Sequence, residues 1–429
     1  MRLLKKYLPQ SEFGKNVFTL MSGTFVAQII PLAIAPVLSR VYTAEDFGIY
    51  ELFSRFIGIA AVLTTCRYDI AVMLPSKKND AFNLVALAAL ISLLFSVILF
   101  CLVLIFTEFI FSYLKIPYSY SFLIYFVPLY IFFIGLNQTL ISWNLRKKKF
   151  KTQISSKIFQ NITLAIFTII LGYLNYGVVG LIIGAILGTI VSVYIYFREN
   201  RIEDQSILSE ISKESIIAQA KKYINFPKVN LWHALIDTFQ TTIQVFLISF
   251  YFNKEILGFY AFGLRIVQTP LGLIGKSISQ VYFQQASIKY ANGEEIYKMT
   301  INLIKSLFIY GVPLLLVVFF FCGELFSFVF GTQWREAGVY IQILSPWLYI
   351  SFVGSIIANI PIIVNKQKQS FILSILSNTL FIAAIFYGGY IAKDIKLGLW
   401  LISLSQVIYF IIEIFWFLRI VKNIRINYE

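Results

Sequence analysis

Apolar runs of about 18 residues or more, with few charges inside them, recur along this sequence. Each is long enough to cross a hydrocarbon layer of about 30 Å as a helix, because a helix rises ~1.5 Å per residue. Twelve are read, near residues 17–40, 47–66, 82–107, 120–142, 155–174, 177–197, 229–252, 256–275, 300–322, 337–363, 371–392 and 397–419. With 59% hydrophobic and only 13% charged residues, the chain cannot bury them all in a soluble core. Strands of a membrane barrel would alternate in character over segments of about ten residues. These runs are instead continuous and rich in Leu, Ile and Phe. The class is an all-α, polytopic integral membrane protein. The first run ends on charged Arg40 and eleven more follow, so a retained helix is expected there and not a cleaved signal peptide. Cys101 and Cys322 lie inside apolar runs and Cys66 at the end of one, which reads as packing and not as a disulfide framework.

The formal net charge of +15 does not form one basic patch. Of the 36 lysines and arginines, 28 fall in the two tails and the even-numbered connections, among them RKKKFK after the fourth run and the stretch from Arg198 to Lys228. The odd-numbered connections hold six. Basic connections stay on the cytoplasmic side, so both termini are expected in the cytoplasm. Orientation thus accounts for the charge without any nucleic acid, and attraction to anionic membrane lipids accompanies it. Trp143, Trp232, Trp334 and Trp416 sit near predicted helix ends, where interfacial anchoring places tryptophan. Arg55 and Arg265 are left over, each inside an apolar run.

Those two arginines close a repeated phrase. EDFGIYELFSR (45–55) and EILGFYAFGLR (255–265) share Glu45 with Glu255, Gly48 with Gly258, Tyr50 with Tyr260 and Arg55 with Arg265, all at an offset of 210. Ser39 and Ser249 match at the same offset. Both phrases open the second apolar run of a set of six, which points to a duplication: a six-helix lobe over 1–197, a hydrophilic cytoplasmic linker over 198–228 and a second lobe over 229–429. Six crossings return the chain to its starting side, so the halves would be related by a pseudo-two-fold axis along the membrane normal. The shared glycines suit a turn or tight packing, and the shared glutamates suit helix caps.

Catalytic material is scarce. The chain has one histidine, no paired Cys or His spacing and no Gly-x-Ser-x-Gly. PLGLIGKS (270–277) ends like a phosphate-binding loop, yet Pro270 stands where that loop needs its first glycine and no soluble strand precedes it. Gly180, Gly184 and Gly188 recur every four residues, a spacing that lets helices approach closely. No catalytic residues, metal ligands or cofactor are assigned, and a transporter is preferred to an enzyme.

An arginine at mid-helix costs at least about 2.5–3.5 kcal/mol on insertion scales, so Arg55 and Arg265 should face a partner or a wet interior. Glu51, one turn before Arg55, is a partner within its own helix; Arg265 has no such acid. Two symmetry-related guanidinium groups facing one cavity would bind an anion, above all a diphosphate, since planar donors engage two oxygens at once. In the seventh run His233, Asp237, Gln240, Thr241 and Gln244 follow at three- and four-residue spacing, a polar stripe in an apolar helix. Asp237 is read as a counter-ion to Arg265 or as the holder of a coupling proton or sodium ion, with His233 as a solvated residue or an accessory to it. Pro31, Pro36 and Pro270 can kink helices that line a cavity.

RYDIAVMLPSKKNDA (67–81), the basic RKKKFK, and GFYAFGLRIVQTPLGLIGKSISQVYF resemble the Wzx-type polysaccharide flippases of the multidrug/oligosaccharidyl-lipid/polysaccharide (MOP) superfamily. The resemblance implies twelve helices in two six-helix lobes around a central cavity. It implies transfer of undecaprenyl-diphosphate-linked oligosaccharide across the bacterial cytoplasmic membrane by alternating access, for O-antigen, capsule or another surface glycan. A membrane potential or ion gradient would drive it, and a polysaccharide polymerase and chain-length regulator would be further partners. By resemblance to the related lipid II flippase, Arg55 and Arg265 are the substrate-binding positions; Gln240 and Gln244 of the polar stripe and Gln28 of the first run are further substrate-binding candidates read from the residues themselves. The additional cationic positions of that relative's first helix have no match here, since Gln28 is the one strongly polar residue deep in the first run. Arg67 and Asp69 match the family phrase as a cytoplasmic gate or a local ion pair. Two alternatives remain: a drug or cation exporter on the same fold, and a polymerase or acyltransferase acting on the same lipid-linked glycan.

Overall fold

The computed structural model describes residues 12–114, 121–364 and 366–422. Arg2, Lys5, Lys6, Lys115 and Arg425, which enter the charge count above, lie outside them. Every regular element among the described residues is a helix. The twelve long ones are α1 (Glu12–Val41), α2 (Ala44–Leu63), α3 (Lys78–Leu114), α4 (Ser121–Arg146), α5 (Phe150–Tyr173), α6 (Val178–Leu208), α7 (Leu231–Tyr251), α8 (Lys254–Ala291), α9 (Tyr297–Phe330), α10 (Arg335–Ile357), α11 (Gln367–Phe386) and α12 (Ile395–Lys422). The expected all-α membrane class holds. Ten helices are long and apolar enough to cross a membrane by composition alone. The other two are α2, which carries Glu45, Asp46, Glu51 and Arg55, and α7, which carries the polar stripe.

Several helices outrun their apolar cores, because backbone hydrogen bonding continues past the bilayer wherever the sequence keeps helical propensity. Lys276, just past the eighth apolar run and counted above with the connections, is among the basic residues that lie well inside a helix, here α8.

Helices α2 and α8 begin at Ala44 and Lys254, at the repeat offset itself. Their caps sit two residues earlier than the shared glutamates. The hydroxyl of Thr43 accepts from the amide of Asp46 at 3.2 Å, while the Asp46 carboxylate takes the Thr43 amide at 3.0 Å. In the second copy the Asn253 side chain accepts from the amide of Ile256 at 2.7 Å. Glu45 and Glu255 fall in the first turn, where they complement the helix dipole without capping it.

The chain divides into two compact units, residues 1–42 with 52–242, and 43–51 with 243–429. This differs from the division at 198–228 read from the sequence. The hydrophilic stretch is not a free linker: its helix Lys213–Lys222 packs on α3 in the first unit. There the Tyr68 hydroxyl donates to the carbonyl of Ala220 at 2.9 Å, and the Asn83 amide donates to that of Glu210 at 3.3 Å.

In the first unit, small residues set the helix spacing. A Cβ on Gly188 would meet the carbonyl of Gln160 at 2.7 Å and one on Gly184 the Thr168 methyl at 2.5 Å, so the four-residue glycine ladder is the seam between α6 and α5. Helix α1 lies against α5, tied by the Asn161 amide donating to the Ala27 carbonyl at 2.6 Å. In the second unit α10 is the central helix, packed by α8, α9 and α12, with Ile341, Leu344, Val353, Ile356 and Ile357 fully buried.

Two tryptophans depart from the interfacial reading. Trp143 and Trp334 are fully buried, Trp143 against Phe82 and Trp334 among Phe47, Phe259 and Phe262. Their large apolar rings are worth more in a packed cluster than at a boundary. Cys66, Cys101 and Cys322 are free.

The repeated phrase packs on itself within the second unit. A Cβ on Gly48 would land on the carbonyl oxygen of Lys254, and one on Gly258 on that of Ala44, 210 residues earlier. Each would also approach the other glycine's amide nitrogen at 3.1 Å. Backbone touches backbone here with pseudo-two-fold symmetry, which only glycine permits.

Candidate functional site

Because α2 and α8 begin at Ala44 and Lys254, Arg55 and Arg265 are each the twelfth residue of their helix. That is roughly 16 Å along the axis, deeper than the apolar runs alone suggest. Arg55 belongs to the first unit, where it is half-buried and engaged by its surroundings. Arg265 belongs to the second unit, is exposed, and its guanidinium makes no ion pair or hydrogen bond among the described residues.

The polar stripe of α7 is shared between the units. His233, Asp237 and Thr241 are exposed and Gln240 half-buried in the first; half-buried Gln244 lies in the second. A Cβ on Gly58 would meet the Thr238 methyl at 4.0 Å, so this part of α7 runs beside α2 one turn past Arg55. Gln28 on α1 is half-buried in the first unit, next to Ala27, whose carbonyl holds α5.

Arg67 and Asp69 do not form an ion pair. Asp69 is buried and accepts from the Thr65 hydroxyl at 2.6 Å. Arg67 occupies the left-handed region at φ 65° between α2 and the short helix Tyr68–Ala71, and its Nε is buried without a partner. The local ion pair is thereby ruled out in this conformation. What remains is a strained turn carrying a cation.

The segment after that short helix is held by a residue the sequence reading passed over. Arg146, at the end of α4, donates from Nη1 to the carbonyls of Val72 and Met73 at 3.3 and 3.1 Å. Its Nη2 donates to those of Pro75 and Ser76. Lys147 and Lys149 reach the Asn200 side chain at 3.0 and 3.2 Å, so the basic RKKKFK connection is a structural joint as well as an orientation signal. The signal was present in the spacing of basic residues, but a charge count cannot tell a solvated lysine from an arginine satisfying four carbonyls. Arg146→Lys keeps the charge and loses the fork, and should open residues 72–77 to proteolysis; unaltered cleavage would show the clamp to be dispensable.

Lys157 donates to the side-chain oxygen of Gln160 at 3.1 Å on α5, and Lys276 is exposed on α8. No group of three metal-ligating side chains occurs among the described residues.

The model of the polysaccharide biosynthesis protein family matches residues 37–339. The chain belongs to that family. Its fold is that of the MOP superfamily transporters. A lipid II flippase, MurJ, in an inward closed conformation superposes with a TM-score of 0.68 at 19% identity, covering 94% of this chain and 87% of that one. An inward-facing multidrug resistance MATE family transporter follows with a TM-score of 0.64 at 14% identity and 94% coverage of both chains. A MOP superfamily transporter from Pyrococcus furiosus, described as having a binding pocket of reversed polarity, gives 0.63 at 12% identity and 94% coverage of both. No curated protein matches the chain. The family member described here therefore shares the fold of these transporters and crosses the membrane many times.

Proposed function

We propose that this family member is a flippase that moves undecaprenyl-diphosphate-linked oligosaccharide from the cytoplasmic to the outer leaflet of a bacterial cytoplasmic membrane by alternating access. Both termini lie in the cytoplasm, and the product feeds a surface polysaccharide such as O-antigen or capsule. The observation that carries the reading is the pair of arginines, each the twelfth residue of a repeat-related helix in a polysaccharide biosynthesis protein. A diphosphate offers each guanidinium two oxygens, which fits the planar fork better than any cationic drug would. Gln28, Gln240 and Gln244 supply neutral donors and acceptors for the sugars, and Arg67 with buried Asp69 forms the cytoplasmic gate.

Asp237, exposed and with no hydrogen bond or ion pair among the described residues, takes the coupling proton or sodium ion, assisted by His233. Asp237→Asn should therefore lose the dependence of export on the ion gradient while retaining substrate binding. An unchanged gradient response would remove Asp237 from that role. Depleting the protein in its host should leave lipid-linked oligosaccharide on the inner leaflet and strip the surface glycan. Normal surface glycan after depletion would overturn the reading; efflux of organic cations by the purified, reconstituted protein would favour a drug exporter.

A further inference from the structure

Helix α8 carries more than one cation on the face of Arg265. Arg265, Gln268, Gly272, Lys276 and Gln280 follow at three- and four-residue spacing, the interval that stacks side chains on one side of a helix. All five are exposed. Other positions of the helix are packed: Leu257, Tyr260, Tyr282 and Ala286 are buried. The face is also open in front. A Cβ placed on Gly272, between the two cations, finds no heavy atom within 4 Å, whereas Cβ atoms on Gly258 and Gly263 of the same helix meet neighbours at 3.1 Å or closer.

The charge on this face is unbalanced. Glu255 in the first turn is the one acid in the helix, ten residues before Arg265. Neither Lys276 nor Arg265 makes an ion pair or side-chain hydrogen bond among the described residues. An exposed, unneutralised pair of cations in a membrane span is costly unless an anion visits it. Eleven residues separate them, roughly 16 Å along the helix. A diphosphate is only a few ångströms long, so it cannot hold both at once.

We infer that Lys276 is a second phosphate-binding position. It receives the polyprenyl diphosphate headgroup on the cytoplasmic side and passes it along the open face at Gly272 to Arg265, while Gln268 and Gln280 meet the attached sugars. The inference rests on the proposed flippase function and adds an earlier step to it. A lysine suits that step: its compact, rotatable ammonium binds phosphate as a point charge and releases it more readily than a bidentate arginine. Within the P-loop-like string PLGLIGKS, Lys276 and the open surface at Gly272 thereby acquire a use.

The test uses the purified full-length protein in lipid nanodiscs, with undecaprenyl diphosphate as the probe and undecaprenol as the phosphate-free control. Lys276→Ala should weaken binding of the diphosphate on the order of tenfold or more, and Lys276→Arg should restore it. Gly272→Leu places a side chain in empty space, so it should leave the melting temperature intact and still slow delivery to Arg265, read as a lower association rate. Undecaprenol binding should not change in any variant. Wild-type diphosphate affinity and association rate in both Lys276→Ala and Gly272→Leu, with loss in Arg265→Ala, would overturn the second position and leave the flippase reading standing. Failure of the unmodified protein to bind undecaprenyl diphosphate would overturn both. An equal effect of Lys276→Ala on phosphatidylglycerol retention, with none on the diphosphate, would assign the lysine to bulk lipid and end the proposal.

Discussion

Arg55→Ala and Arg265→Ala, made singly, should each abolish surface-glycan export while the protein still reaches the membrane in normal amount. Hydrogen bonds to charged groups are worth about 1.5–3 kcal/mol each, and a bidentate guanidinium makes two, so losing one arginine lowers diphosphate affinity by roughly two orders of magnitude or more. Removing a mid-membrane arginine also removes an insertion cost of at least about 2.5 kcal/mol, so the variants have no reason to fail at the membrane. Arg→Lys variants keep the charge and lose the fork, and should show partial export. Immunoblots of surface polysaccharide against membrane protein level read both quantities. Undiminished export in both alanine variants would end the diphosphate role of these residues.

The glycine seam should be nearly as sensitive, by a different physical route. In Gly48→Ala or Gly258→Ala the new methyl meets a backbone carbonyl, which cannot swing aside as a side chain would. Overpacking of this kind costs about 1–3 kcal/mol or more, set against a gain of up to about 1 kcal/mol from helix propensity. Each variant should therefore melt at a lower temperature in detergent and export poorly, and valine should be worse than alanine. Gly272→Ala on the same helix provides the contrast for stability, since its methyl enters open space and should leave the melting temperature unchanged or higher. Melting temperatures equal to wild type in both seam variants would show that the helix starts have room to separate at no cost.

The two sets of residues connect through one phrase. Its glycines hold the starts of α2 and α8 backbone to backbone, and its arginines come ten and seven residues later than the shared glutamate and glycine of each copy. Both arginines occupy the twelfth position because the helix starts, like the arginines, are 210 residues apart.

Much of the fold was legible in the sequence, because solvent imposes it. A bilayer admits helices whose backbone is satisfied internally, so twelve apolar runs of spanning length leave few options, and the repeat offset of 210 is reproduced by the helix starts at Ala44 and Lys254. The glycine ladder of α6 could be read as a packing seam for the same reason: a missing side chain at four-residue spacing has the same steric meaning in any helix.

Three things required the tertiary structure. Helix ends are set by hydrogen bonding and packing, not hydropathy, so α8 runs on past the apolar run that ends at residue 275 and takes in Lys276. Burial of Trp143 and Trp334, and docking of the hydrophilic helix Lys213–Lys222 on α3, depend on neighbours far away in sequence. Composition distinguishes water from lipid; it does not distinguish lipid from protein. The sequence by itself determined the class, the duplication and the two arginines, since each follows from local patterns read against a uniform solvent. The tertiary structure alone decided which glycines touch, which cations stay open and which are consumed as clamps, because those depend on what each side chain meets across the fold.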